Sequence, residues 1–290
     1  MPLLIHSDYA GTIPIEVEGI LPEVLQALSL AEIRSLYVLR GRRRYQLGEL
    51  FEVSGEPSIE VEWSGNLDAV QRIGESMTEG IVRVRGNAGC HVGQSMSGGE
   101  ILVHGDVGDY AGCRLRGGRL VVLGSAGNHL GGVLAGEKLG MNRGEILVRG
   151  RVGKGAGQSM RRGTIVAGGP MGELAGWNMI AGTVIGFSGL GPLAGAGMKR
   201  GTIVDASQNA IDLQQQNLLP TFLPGMTQPF PVLRMLHRWL ANCSIDNQLV
   251  FLRDDVDRLL DPFQLFHGDS LRLDKTGGKG EVFLRNAAAA

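Results

Sequence analysis

Gly86-Asn-Ala-Gly-Cys-His-Val-Gly-Gln-Ser-Met-Ser-Gly-Gly-Glu-Ile-Leu-Val103 decides how the chain folds, because its spacing recurs. Gly99, which opens the terminal strand of this stretch, is matched 19 residues earlier by Gly80 and 19 residues later by Gly118. The same step links Gly144, Gly163, Gly182 and Gly201. The single break, Gly118 to Gly144, is 26 residues, one period plus a seven-residue insertion. A fixed period of this kind marks a solenoid, in which equivalent positions stack coil upon coil. Solenoids more often organise partners than perform chemistry.

Each repeat has the same parts. Three residues before the reference glycine stand Met77, Met96, Leu115, Met141, Met160, Met179 and Met198. Two residues after it stand Val82, Ile101, Leu120, Ile146, Ile165, Val184 and Ile203, and four after it Val84, Val103, Val122 and Val148, decaying to Ala167, Gly186 and Asp205. Apolar residues at alternate positions are the period of a β-strand with one buried face. Further glycines at fixed offsets, such as Gly93 and Gly112, supply sharp corners. The spacing predicts a mainly β chain, a parallel β-helix with coils roughly 4.8 Å apart. Methionines that stack inside a narrow β-helix are adaptable packing rather than a soft-metal site.

Two look-alikes fail on spacing. Gly189-Leu-Gly191 through Gly197 loosely imitates a dinucleotide-binding turn, yet no amphipathic helix follows and the glycines keep the 19-residue period. Left-handed hexapeptide acyltransferases take 18 residues per coil, whereas the glycine gaps here are 3, 4, 6 and 6.

The ends differ from the middle. Residues 1–65 are expected to form an α+β N-terminal cap, residues 66–205 the glycine-rich β-helix of about seven coils, and residues 206–290 a C-terminal arm, helix and short strands. In the cap, Pro22-Glu-Val-Leu-Gln-Ala-Leu reads as a short helix, and Ile59, Val61 and Trp63 as one face of a strand. Such a cap would cover the open edge of the first coil. In the C-terminal part, Leu218 to Pro231 forms a proline-punctuated apolar arm. A helix follows with Val232, Met235, Leu236 and Trp239 on one side, then strands near 250–252, 270–273 and 281–284; 287–290 reads as a disordered tail.

Composition sets the remaining bounds. The chain has 290 residues, net charge −1 and three cysteines, Cys90, Cys113 and Cys243, without a Cys-x-x-Cys motif. No apolar run reaches membrane-spanning length and the first residues lack a signal-peptide layout, so a cytoplasmic location is expected. Balanced charge, with no interleaving of basic and aromatic residues, argues against nucleic acid. No catalytic residue and no metal site is expected. Cys90 and His91 would face opposite ways in a strand, His104 and His129 lie in different coils, and Glu100, Glu145 and Arg119 share a solvated column.

Two outward columns point to partners. Leu102, Val121, Leu147, Val166, Ile185 and Val204 form an apolar stripe that requires cover, by the chain's own terminal segments or by another subunit. Arg116, Arg161 and Lys199 follow the methionine column, with Arg143, Arg162 and Arg200 one residue later. Stacking would gather them at one corner, either as solvated charges or as an anion track.

The motif Gly-x-x-Gly-x-x-x-Gly-x-x-Met-x-x-Gly followed by Ile-x-Val resembles the glycine-rich β-helix of the glutamate synthase large subunit. It is more closely similar to the C subunit of formylmethanofuran dehydrogenase and its bacterial counterpart in the formyltransferase/hydrolase complex. The residues that carry this are 86–103, Leu139-Gly-Met-Asn-Arg-Gly-Glu-Ile146 and Gly157-Gln-Ser-Met-Arg-Arg-Gly-Thr-Ile-Val166, with looser likeness at Leu219-Pro-Thr-Phe222 and Gly278-Lys-Gly-Glu-Val282. The resemblance implies a right-handed helix and a noncatalytic subunit that binds no cofactor itself. Metal-dependent hydrolysis would reside in the A subunit and formyl transfer in the D subunit, with the B and C subunits as scaffold. The bacterial complex moves formyl from formyl-tetrahydromethanopterin to a methanofuran-type carrier and hydrolyses it to formate. The rivals are the C subunit of a molybdenum or tungsten formylmethanofuran dehydrogenase and a free-standing glutamate-synthase-like interaction module. Because the carrier bears glutamates, Arg116, Arg161, Arg162, Lys199 and Arg200 become candidate carrier-binding residues.

Overall fold

A computed structural model describes residues 2–208, 210, 218–245, 248–268 and 279–286. The protein is mainly β, with a mixed sheet of 13 strands and few helices. Seven of these strands are the repeat strands: Ile81–Val84, Glu100–Val103, Arg119–Val122, Glu145–Val148, Thr164–Ala167, Thr183–Gly186 and Arg200–Asp205. They pair in parallel and in register, Val82 on Ile101, Leu120, Ile146, Ile165, Val184 and Ile203. A second ladder of single parallel bridges joins Ala88, Val107, Ala126, Val152, Met171 and Leu190. Each repeat therefore touches the next along two separate lines, the signature of a β-helix-like stack.

The pairing of methionine with glycine has a steric cause. Gly99 has φ +79°, and a Cβ placed on it would meet Gly80 O at 2.6 Å and Met77 Cε at 2.7 Å. The methionine methyl of one repeat fills the space that a side chain on the next repeat's glycine would need. All the methionines of the column are fully buried, as is Leu115. The seven-residue insertion leaves this frame before Gly140 and is tied down by an Arg114–Glu137 ion pair at 2.8 Å.

The parallel ladder outruns the glycine repeat at both ends. At the front, Glu60–Gly65 pairs with Ile81–Val84, and Leu3–Ser7 pairs in parallel beyond it. Antiparallel Glu52–Gly55 then closes the sheet. At the back, Lys279–Arg285 pairs in parallel with Arg200–Asp205, although the two are some 75 residues apart in sequence. Gly280 takes the place of a reference glycine: a Cβ there would meet Met198 Cε at 2.5 Å. Antiparallel Phe263–His267 and Leu223–Gln228 finish that side.

The N-terminal unit adds a four-stranded sheet, in the order Arg43–Gln46, Tyr37–Arg40, Ile15–Glu16 and Val70–Gln71. Short helices at Pro22–Leu25, Leu30–Ser35 and Leu47–Leu50 accompany it; Ser29 and Glu32 form a reciprocal capping box on the second. Ile15, Val17, Ile20, Leu25 and Ile33 share one hydrophobic cluster with the interior of the stack. Trp63 is fully buried there, edge-on to Phe51 at 5.6 Å, whereas Ile59 is 37 % exposed and lies off the buried face expected for it.

The outer apolar stripe is covered by the chain itself. Leu102, Val121, Leu147, Val166, Ile185 and Val204 are buried against Leu233, Leu240, Val250, Phe251, Leu259, Phe263 and Phe283. Full burial of such side chains contributes roughly 1.5–3 kcal/mol each. Arg149 adds two hydrogen bonds, Nε to Val250 O and Nη2 to Leu249 O, both 3.0 Å. The helix at Pro231–Ala241 docks through Leu233, Leu236 and Leu240. Of the expected face, Leu236 and Trp239 pack against the cover, whereas Val232 is 43 % and Met235 70 % exposed, because the buried side lies one residue further round the helix, at Leu233 and Leu240. The strand expected at 250–252 is at Gln248–Leu249, and Phe263–His267 was not foreseen. Residues 270–273 and 287–290, also the subject of expectations, lie outside the described residues.

Candidate functional site

The main chain brings the basic corner together. In each repeat the two residues after the buried methionine turn outward. Arg116 N–H donates to Met96 C=O (2.7 Å), Asn142 to Leu115 (2.7 Å), Arg161 to Met141 (2.8 Å), Ile180 to Met160 (2.7 Å) and Lys199 to Met179 (2.7 Å). These bonds place Arg116, Asn142, Arg161, Ile180 and Lys199 in one column, with Arg143, Arg162, Ala181 and Arg200 beside it. Arg116, Arg143, Arg161, Arg162, Lys199 and Arg200 are all exposed. The structure adds Lys279, also exposed, which stands in register with Arg200. Sequence spacing alone could not find it, because it arrives from outside the repeat; the signal was Lys279-Gly-Glu-Val282, a copy of the repeat's Arg143-Gly-Glu-Ile146.

The cations form two groups. Arg116, Arg143, Arg161 and Arg162 occupy three successive repeats; Ile180 and Ala181 interrupt; Lys199, Arg200 and Lys279 follow. Among the described residues none of the seven makes an ion pair or a side-chain hydrogen bond. The neighbouring column is neutralised internally: Arg119 donates from Nε and Nη2 to Glu145 Oε2 (both 2.8 Å) and lies 3.9 Å from Glu100. The corner thus presents cations without an ion-pair partner among the described residues, at a spacing of roughly 4.8 Å per repeat.

A second corner carries a ring stack. His91, Tyr110 and His129 are stacked, centroids 5.2 and 5.0 Å apart. All three have positive φ, 64°, 63° and 58°. Cys90 and His91 therefore sit in a turn and not on the opposite faces of a strand. Glu75 accepts from Arg72 (2.7 Å) and from Gln94 Nε2, which turns Gln94 Oε1 to His91 Nδ1 at 2.6 Å. The network assigns the His91 proton to Nδ1. His129 Nδ1 meets Gln158 Oε1 at 3.0 Å in the same manner. Each imidazole is held by an amide and stacked on the phenol.

Nucleophilic chemistry finds little support in the thiols. Burial pushes the Cys113 thiol up to about 12 and raises that of Cys243 as well, so both stay protonated at neutral pH. Among the described residues no group of three or more His, Cys, Asp or Glu side chains is placed to hold a metal ion. Among them, too, no helix is long and apolar enough to cross a membrane. One further cationic group was missed. The hairpin Tyr37-Val-Leu-Arg-Gly-Arg-Arg-Arg-Tyr45 does interleave basic and aromatic residues: the Arg40 guanidinium lies 4.6 Å from the centre of the Tyr45 ring and that of Arg44 5.5 Å from Tyr37. The signal was in the sequence, but the whole-chain charge balance hid it.

Fold and surface together define a class: a repeat-built subunit whose distinguishing features are an unpaired basic edge and a self-covered apolar face. No protein-family model matches the chain. It is 36 % identical over 85 residues to the C subunit of the tungsten-containing formylmethanofuran dehydrogenase 2 of Methanothermobacter thermautotrophicus. It is 37 % identical over 89 residues to the C subunit of the molybdenum-containing formylmethanofuran dehydrogenase 1 of the same organism. These matches take in 28 % and 30 % of the chain, and the chain spans 32 % and 22 % of those relatives. A far longer correspondence is with a chain in the crystal structure of the formyltransferase/hydrolase complex (FhcABCD) from Methylorubrum extorquens in complex with methylofuran. The TM-score is 0.84 at 30 % identity, covering 97 % of this chain and 98 % of that one. The chain belongs to the family of formylmethanofuran dehydrogenase C subunits, which includes their counterpart in the formyltransferase/hydrolase complex.

Proposed function

We propose that the chain is the noncatalytic C subunit of a formyltransferase/hydrolase complex and works alongside the A, B and D subunits. The observation that carries this is the end-to-end structural correspondence, 97 % of one chain and 98 % of the other, which takes in both caps as well as the repeats. On this reading the complex moves formyl from formyl-tetrahydromethanopterin to a methanofuran-type carrier and hydrolyses it to formate. The chain's own part is to hold its partners in position, as a right-handed parallel β-helix. Purification of the protein from its native host, with mass spectrometry of what accompanies it, tests the assignment. Hydrolase-like and formyltransferase subunits are expected; a molybdopterin- or tungstopterin-binding partner would move the chain to the dehydrogenase. That second reading draws on the 36 % identity to the tungsten enzyme, but the match reaches only 28 % of the chain.

Arg116, Arg161, Arg162, Lys199 and Arg200 are assigned to guiding the acidic carrier, supported by their alignment on one bare corner. Lys279 extends the same edge. Reversal of Arg161 and Arg162 to Glu should weaken carrier binding by about tenfold at low salt, and less at high salt. Unchanged affinity and unchanged coupled turnover would remove the carrier from this surface.

A further inference from the structure

The Arg40–Arg44 hairpin spends stability on a charge cluster that the fold does not use. Tyr37–Arg40 and Arg43–Gln46 pair antiparallel with Arg40 directly opposite Arg43. Like charges so placed are destabilising. Gly41, φ +61°, makes the two-residue turn, and its N–H donates to Pro14 C=O at 3.0 Å. Arg42, Arg43 and Arg44 are exposed, and among the described residues neither they nor Arg40 make an ion pair. Arg40 is fixed by the Tyr45 ring and by a 3.1 Å hydrogen bond to its hydroxyl.

The same strand is the free edge of its four-stranded sheet. In a two-residue hairpin the closing pair, Arg40 and Arg43, exchanges hydrogen bonds, so the next pair, Leu39 and Arg44, does not. The N–H and C=O of Arg44 therefore point away from the sheet, beside three exposed guanidinium groups. We propose that this edge receives a short acidic strand from another subunit, which pairs with the Arg44 backbone and sets carboxylates on both of its faces, against Arg44 on one and Arg43 on the other, beside Arg42 at the turn. The proposal rests on the chain's being one subunit of a larger assembly. A peptide is favoured over a nucleic acid because only a peptide backbone satisfies the free edge.

The test uses the full chain, wild type and Arg42→Glu/Arg43→Glu/Arg44→Glu, with unchanged circular dichroism as the fold check. A fluorescent heptapeptide in which pairs of Glu separated by single Val residues place carboxylates on both faces should bind the wild type saturably. Its binding should weaken about tenfold with the triple variant, and likewise when its alternate amides are N-methylated. Equal binding by the variant overturns the proposal, and so does indifference to N-methylation. Tighter binding of a DNA duplex or of phosphatidylserine vesicles through the same arginines overturns it as well. Tagged wild type and variant are also purified from the native host. If wild type brings no subunits, the assembly reading itself fails; if both chains bring the same subunits equally tightly, only the hairpin proposal fails.

Discussion

The outer apolar stripe and the basic corner lie only four or five residues apart in every repeat, yet the chain treats them in opposite ways. Leu102, Val121, Leu147, Val166, Ile185 and Val204 are sealed under the C-terminal segments. Arg116, Arg161, Arg162, Lys199 and Arg200 are left bare. The stripe also ends where its cover ends: Arg83 holds the position in register with Leu102 and pairs with Glu60, whereas Phe283, in register with Val204, belongs to the covering cluster. The period sets where a column runs, and its residue content decides whether the chain consumes that surface or leaves it for a partner.

The comparison breaks most visibly at the stripe. Val166→Asp would set a carboxylate without a partner beneath the C-terminal cover, at a side chain that is fully buried. The expected loss is at least about 4 kcal/mol in chemical denaturation, with the C-terminal segments becoming the first site of limited proteolysis. A loss under about 1 kcal/mol would mean that the cover is loosely held and that the stripe is available to partners after all.

The interior comes next. Gly163 has φ +104°, and a Cβ there would meet Met141 Cε at 2.6 Å and Gly144 O at 2.8 Å. Gly163→Ala should cost about 2–4 kcal/mol from backbone strain and overpacking. Combination with Met141→Ala isolates the contact with the methionine methyl, since the Gly144 O contact and the positive φ remain; strict additivity of the two losses would show that the methyl plays no part in dictating the glycine.

How much of this was legible follows from the same distinction. Every repeat strand, the buried methionine column and the covered stripe could be read, since each is a column of one residue type at a fixed step. The strand Leu3–Ser7, the joining of Lys279–Arg285 to the ladder and the true buried face of Pro231–Ala241 could not. Their places depend on long-range pairing that no local period records. Val232 and Met235 look as apolar as Leu233 and Leu240, and only the position of Val256, Leu259 and Phe263 decides which pair is buried. The basic corner was legible as columns, but Ile180 and Ala181 split it and Lys279 lengthens it, which only the register reveals. The Arg40–Arg44 hairpin was missed because a balanced total charge says nothing about where the charge sits.

A smaller, pH-dependent effect marks the end of the interior. Asp205 occupies the column of Val84, Val103 and Val122, is 2 % exposed, and accepts from Leu190 N–H (3.3 Å) and Ser207 N–H (3.0 Å). Burial dominates and raises its pKa above the ordinary 3.8, the hydrogen bonds opposing. A folded-state value above the unfolded one favours folding below pH 3.8, and that contribution is lost as pH rises through the raised value. Asp205→Asn keeps an acceptor for one of the two N–H groups and turns its NH2 towards the other, so its stability relative to wild type should be highest near neutrality and fall as the pH drops through the raised value towards 3.8. A difference independent of pH would mean that the carboxylate is not the source.

The smallest expected effect is the sharpest test of the contrast between the two columns. Arg161 and Arg162 are exposed, and among the described residues they have no ion pair to lose. Arg161→Glu/Arg162→Glu should change stability by no more than about 0.5 kcal/mol, in contrast to the stripe variant at Val166 in the same repeat. The direction should be slightly favourable, because the new carboxylates face Arg143 in the repeat before and Lys199 and Arg200 two repeats on. A loss above about 1 kcal/mol would place these arginines in the fold's own energetics and withdraw them from any partner. Near-neutrality combined with a large loss of carrier binding is the outcome that separates a surface kept for function from one the chain has already used.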